Sequence, residues 1–291
     1  MTKRNYYFLL PLTCLILSLS FPRACMEGVK DGLSLAINFA FPSLFPAFVL
    51  SGLFIRTLSG KSEKSALIIP FLLGLICGFP IGAKSICSLV QEGKLTRKKA
   101  AQLLPLTSGA SPGFLISYCG ITLFSNHKKG LFLYFLQSFF LLVFFLLFFG
   151  KDLFKKGKKD WNSGVKPHFI SLIPKAVSDG INAFFYVSAC IVFFSFLLSL
   201  LFAILPLSPL AKVLLSLFLE LTGGAKNLCL IQENLRLPLC AFGIGWNGFS
   251  VHLQTLGLIL EKEISPKFYF LMKGIFSLLF FVSTLFLQKV L

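Results

Sequence analysis

The chain has 291 residues, of which 56% are hydrophobic and only 13% charged, and a formal net charge of +17. Several apolar runs approach the length of about 20 residues that crosses a bilayer, so the chain reads as a multi-pass membrane protein. A soluble enzyme, a disordered tail and a nucleic-acid partner are excluded, because the lysines and arginines lie in short loops where they set orientation and favour anionic lipid headgroups or an anionic solute.

The eight cysteines are scattered with no Cys-x-x-Cys pair and read as small, reduced, apolar residues. Among the three histidines, His127 and His168 fall in loops, so a metal centre has little to be built from and no cofactor is expected.

Residues 1–30 carry Lys3 and Arg4, an apolar run from Tyr6 to Phe21, then Pro22 and Arg23. No small-x-small cleavage site follows cleanly, which favours a first span or signal anchor over a cleaved signal. Residues 31–150 form a first half: a span over 33–55, a basic loop with Arg56, Lys61 and Lys64, an apolar segment over 66–90, the basic stretch Lys94 to Lys99, an apolar segment over 103–124, and a Phe/Leu span over 131–149. The linker 151–175 is the most basic stretch and is expected to be cytoplasmic.

Both flanks of 66–90 are basic, so this segment is expected to enter and leave on one face, each arm of about 12 residues reaching roughly 18 Å. Its centre, Cys77-Gly78-Phe79-Pro80-Ile81-Gly82-Ala83-Lys84, breaks the apolar run. Broken backbone at membrane depth needs protein or a watery cavity around it, so the segment reads as a hairpin tip lining a site.

Residues 176–291 form a second half, with spans over 181–205 and 268–287 and a cytoplasmic end at Lys289. The expectation here is a second hairpin over 237–260, broken at Gly243 to Gln254, and a short broken helix pair over 210–232. Gly78-Phe79-Pro80-Ile81 sets against Gly248-Phe249-Ser250-Val251. The fold expected is therefore all-α: about six full spans plus two re-entrant hairpins in an inverted repeat, the two tips meeting near the midplane.

Ordered motifs carry a family resemblance over most of residues 31–285. They are Gly78-Phe79-Pro80-Ile81-Gly82-Ala83-Lys84, Leu95-Thr96-Arg97, Ser111-Pro112-Gly113-Phe114, Glu220-x-Thr222-x-Gly224 and Ser250-Val251-His252-x-Gln254. With these the chain resembles the integral membrane proteins with a nucleoside-recognition (Gate) domain, and among them the sporulation membrane proteins. The resemblance implies a permease, with dipicolinate, an aromatic dicarboxylate, as the solute, and a second copy or other sporulation membrane proteins as partners.

The substrate-binding candidates are Gly78, Pro80, Gly82, Lys84, Ser111, Thr222, Asn247, Ser250, His252 and Gln254. Lys84 could pair with a solute carboxylate, or else snorkel or pair with Glu92. His252 is either a satisfied structural group or a proton-coupling or solute-binding one. Ser250 and Gln254 share a helical face, and Asn247 could cap the half-helix that follows. Thr107, Ser108 and Ser111 could hold an anion at a half-helix terminus, or allow close helix packing. Thr222, Lys226 and Asn227 either gate entry or cap short helices. Gly109-Ala110-Ser111-Pro112-Gly113 fits the Gly-x-Ser-x-Gly pattern, but an apolar helix precedes it and proline follows the serine, so no enzyme is expected. Competing readings are a scaffold that recruits lipid or protein through the linker, and a nucleoside transporter-like protein.

Overall fold

The computed structural model describes residues 8–58, 62–154 and 169–288. Residues 155–168, most of the basic linker, and Lys289 lie outside them. Among the described residues every regular element is a helix.

Helix α1 (Leu9–Ser20) ends at Phe21, and α2 (Pro22–Leu35) runs through a π-helical turn at Ala36–Ala40 into α3 (Phe41–Leu58). Pro22 at the first turn, where its missing N–H costs nothing, starts this long helix well before the expected position 33. At 12 residues α1 is only about 18 Å long, too short to span a bilayer upright. Helices α4 (Glu63–Cys77) and α5 (Ile81–Gln91) follow. A reciprocal cap opens α4, with Ser62 Oγ accepting from Ser65 N and Ser65 Oγ accepting from Ser62 N. Gly78, at φ +75°, closes it.

Helix α6 (Arg97–Leu103) continues as a 3₁₀ turn to Thr107, breaks over Ser108–Ser111, and resumes as a π-helical segment, Gly113–Leu123. Helix α7 (His127–Phe154) and the 36-residue α8 (Phe169–Ile204) are uninterrupted. A short pair, α9 (Pro209–Leu219) and α10 (Leu221–Asn227), is broken at Glu220. Then α11 (Glu233–Trp246) meets α12 (Gly248–Ile259) at Asn247, whose φ of +78° is one that asparagine tolerates better than most residues. Helix α13 (Lys267–Leu287) ends the described chain.

Among the described residues four helices are long and apolar enough to cross a membrane: Pro22–Thr57, His127–Phe154, Phe169–Ile204 and Lys267–Leu287. Of the about six full spans expected from the sequence, these four form as single long helices among the described residues, and the rest of the apolar sequence forms shorter or broken helices.

Helices α4 and α5 double back on each other. Glu63, at the start of α4, bonds Lys99 of α6 at 2.8 Å, and Lys99 bonds Asp152 at the end of α7 at 3.0 Å. Both arms therefore open at one end of the bundle.

The expected hairpin over 237–260 is not formed. Helix α11 runs antiparallel to α13, with Phe242 against Phe281 and Gly245 against the backbone of Ser277. Beyond the break the progression continues, since His252 meets Tyr269 and Phe270. Helix α12 thus runs onward, and Arg97 pairs with Glu263 just past its end at 3.0 Å, at the same end of the bundle as Lys99. The left-handed Asn247 offsets the two half-helices without reversing them. The element that doubles back in the second half is α9–α10, the segment expected as a short broken pair. Each half therefore runs long helix, short helix pair, broken helix, long helix.

Glycines seat these elements on each other. A Cβ on Gly74 or on Gly82 would collide with the Thr107 carbonyl oxygen, so the two arms of the first pair straddle the start of the first break. Gly28 and Gly32, one helical turn apart on α2, let its backbone reach α8 at Phe196 and Val192, a small-x-x-x-small contact.

Candidate functional site

The first break, the two short pairs, α12 and the two long helices converge on a cavity of about 330 Å³. Its polar wall is Ser111 from the first break, Thr222 and Glu220 from the second pair, Ser250 and Gln254 from α12, and Asn38 and Ser43 from the first long helix; Phe79, Phe114 and Tyr118 supply aromatic surface. That volume lies within the range of about 300–1,000 Å³ typical of small-molecule sites.

Local bonding holds the wall in place. Ser111 Oγ accepts from Phe114 N at 3.2 Å. The Glu220 carboxylate accepts from Thr222 N at 2.9 Å and from Gly223 N, capping α10. Tyr118 donates to the Thr222 carbonyl at 2.9 Å, joining the first half to the second. Gln254 Nε2 reaches Ser250 Oγ at only 3.5 Å, and Gln254 Oε1 is buried with no hydrogen-bond partner, leaving a carboxamide with unused capacity at the cavity wall.

Gln254 also borders a second cavity, of about 240 Å³, shared with Pro80, Lys84, Asp179 and Tyr186. Lys84 and Asp179 in turn border a third, of about 510 Å³, lined as well by Arg56, Glu92, Lys94 and Lys175. The cavities form a row from Ser111 to Lys175. Glu92 pairs with Lys94 at 2.6 Å and Asp179 pairs with Arg56, whereas Lys84 has no ion pair within 4 Å among the described residues.

Ser111, Thr222, Ser250 and Gln254 are thus brought together, with Pro80 and Lys84 in the adjoining cavity. Gly78 and Gly82 pack on the backbone of Ser111 and Thr107. His252 lines none of the cavities described: it is buried behind α12, with Nδ1 2.9 Å from the Tyr269 hydroxyl and its ring against Trp246, Phe249 and Phe270. A chamber holding both Lys84 and His252, as the hairpin reading required, does not form, because α12 runs onward and turns position 252 away from 250 and 254. Asn247 makes no side-chain cap; it donates from Nδ2 to the Ser108 carbonyl at 2.6 Å. Thr107 and Ser108 hydroxyls return to the Leu104 carbonyl. Lys226 pairs with Asp31 at 3.2 Å and Asn227 bonds Ser216 at 2.8 Å.

Two polar residues that sequence reasoning passed over hold the first break together. Gln137 of α7 accepts from Ala110 N at 2.8 Å and donates to Ala110 O at 2.9 Å. Lys273 of α13, only 2% exposed, donates to the Ser108 carbonyl at 2.6 Å. Both were visible as isolated polar residues in apolar spans: Lys273 is the lone charge between Phe268 and Leu287.

No protein-family model and no solved structure matches the chain. The chain is a multi-pass integral membrane protein, similar to the sporulation integral membrane protein YlbJ of Bacillus subtilis (strain 168), with 26% identity over 336 aligned positions that cover 94% of this chain and 80% of that protein.

Proposed function

We propose that the protein is a permease for a small anionic aromatic solute, dipicolinate being the candidate, acting in a membrane of a sporulating cell. The observation that carries this reading is the row of cavities, in which a polar and aromatic chamber leads past the unpaired Lys84 to a mouth with Arg56, Lys94 and Lys175. A half-buried ammonium that has no ion pair within 4 Å among the described residues, although Asp179 borders the same cavities, suits a passing anion, and aromatic rings suit a planar one. The similarity to a sporulation membrane protein supports the setting.

With the basic linker in the cytoplasm, the end of the bundle holding Glu63, Lys99 and Asp152 is cytoplasmic. The α4–α5 pair then enters from inside, α9–α10 from outside, and the broken helices run in opposite senses, an inverted repeat with its site at the midplane. In this orientation α13 leads outward, placing the end of the described chain opposite the cytoplasmic end expected from Lys289.

A nucleoside-like solute is the second reading. Glu220 is the one acid, and no lysine or arginine stands, in the wall of the central chamber, which favours a neutral solute rich in donors there. Uptake of labelled dipicolinate and of labelled nucleosides by purified protein in vesicles separates the two. Saturable dipicolinate uptake supports the first reading; nucleoside uptake alone transfers the site to the second, and uptake no faster than in protein-free vesicles sinks both.

A further inference from the structure

The geometry points to Lys273 as a tethered cation that fills a monovalent-cation site between the two helix breaks. Three observations and one general rule converge there. The Ser108 carbonyl stands at the C-terminal, negative end of the half-helix that begins at Arg97, where a positive charge is favoured. Unwound carbonyls and half-helix C-termini at such breaks are places where transporters hold a coupling cation. The Ser108 oxygen receives Lys273 Nζ and Asn247 Nδ2, both at 2.6 Å. The other end of that carboxamide, Asn247 Oδ1, is buried with no hydrogen-bond partner, in a side chain that is fully enclosed. The ammonium and the Asn247 carboxamide thus meet at one carbonyl oxygen of the first broken helix, with a second, unpartnered oxygen carried by that carboxamide from the other; the ammonium occupies the space of a small cation and is delivered by α13 from the second half.

The consequence is independent of the solute: the wild-type protein needs no exchangeable alkali cation at this position, and shortening the lysine opens a place for one. The test is the unfolding midpoint of the purified full-length protein in sodium, lithium, potassium or choline chloride at equal ionic strength, with equilibrium binding of radioactive sodium alongside. Wild type is expected to unfold at the same temperature in all four salts and to bind no sodium. Lys273→Ala, which leaves both oxygens and vacates the tether, is expected to lose stability in choline and to recover with the logarithm of the concentration of one of the alkali ions. Lys273→Met, which fills the volume with an apolar chain, is expected to lose stability without recovery. A sodium-dependent midpoint in wild type, an equal salt response from both variants, or an alanine variant that is folded but indifferent to all three ions would overturn the assignment. So would failure of the alanine variant to fold in any of the salts, because the lysine would then be a packing element and no stand-in for an ion.

Discussion

Gln137 holds both backbone groups of Ala110, accepting from its N–H and donating to its carbonyl, across the interface between α7 and the first break. One side chain does for the interrupted helix what two backbone partners would have done. Gln137→Leu keeps the volume and strands a buried donor and a buried acceptor at about 1–3 kcal/mol each. A loss on the order of 3 kcal/mol is expected as a lowered unfolding midpoint in detergent, with Gln137→Glu losing less at low pH, where the buried carboxyl is protonated and still offers one acceptor and one donor, and more as rising pH drives it to ionise. An unchanged midpoint for the leucine variant would mean that water replaces the carboxamide.

The α2–α8 contact depends on the absence of side chains. A Cβ on Gly32 would stand 2.7 Å from Val192 Cα, and one on Gly28 2.9 Å from Phe196 Cα. Overpacking of this kind costs about 1–3 kcal/mol per site, so Gly32→Leu should lower the folded yield more than Gly32→Ala, while Gly150→Ala, at a glycine with open space around it, should leave the yield unchanged. Size-exclusion recovery after mild heating reads the order of the three.

Lys84 stands between the second and third cavities, and Arg56 faces the third while pairing with Asp179. Lys84→Ala is expected to abolish dipicolinate flux in proteoliposomes with membrane insertion intact. Asp179→Asn should instead alter flux only modestly, because the pair it breaks is part-exposed, with side chains 23% and 35% accessible, and such pairs contribute about 1 kcal/mol or less. Equal losses from both substitutions would count against a special place for the lysine.

The course of α11–α12 can be decided by labelling. Glu263→Cys is expected to react with an impermeant thiol reagent from the same side as Lys98→Cys, since Arg97 pairs with Glu263, and Lys212→Cys from the opposite side. Labelling of position 263 from the same side as 212 would restore the hairpin reading of 237–260. Variants should be built on a background lacking the exposed Cys229.

Much of the fold was legible because breaks announce themselves in apolar sequence. Gly78-Phe79-Pro80, Ser108 to Ser111, Glu220 and Asn247 all mark real interruptions, whereas Gly223-Gly224 lies inside α10, and the two arms between the basic flanks of 66–90 do double back. Composition does not say whether a broken segment folds back or carries on. Leu237 to Leu260 was read as returning because its flanks were assigned to one side, whereas the backbone at Asn247 only displaces the axis. Ser250 and Gln254 were correctly placed on one helical face. His252, two positions from each, had to fall elsewhere on a helix of 3.6 residues per turn, a point that periodicity carried and the shared motif obscured. Lys273 and Gln137, solitary polar residues in long apolar helices, have no neighbouring motif to mark them, yet they brace the first break.

Gly74, Gly78 and Gly82 bring the backbone of the first pair against Thr107 and Ser111, with only the short side chains of that threonine and serine at the contact. The pair and the first break are therefore welded into a single block, and neither tip can swing as an independent flap. If the protein is the permease proposed above, the expected opening motion is a rocking of this block against α12 and α10, along the seam where Phe79, Tyr118 and Gln254 intervene.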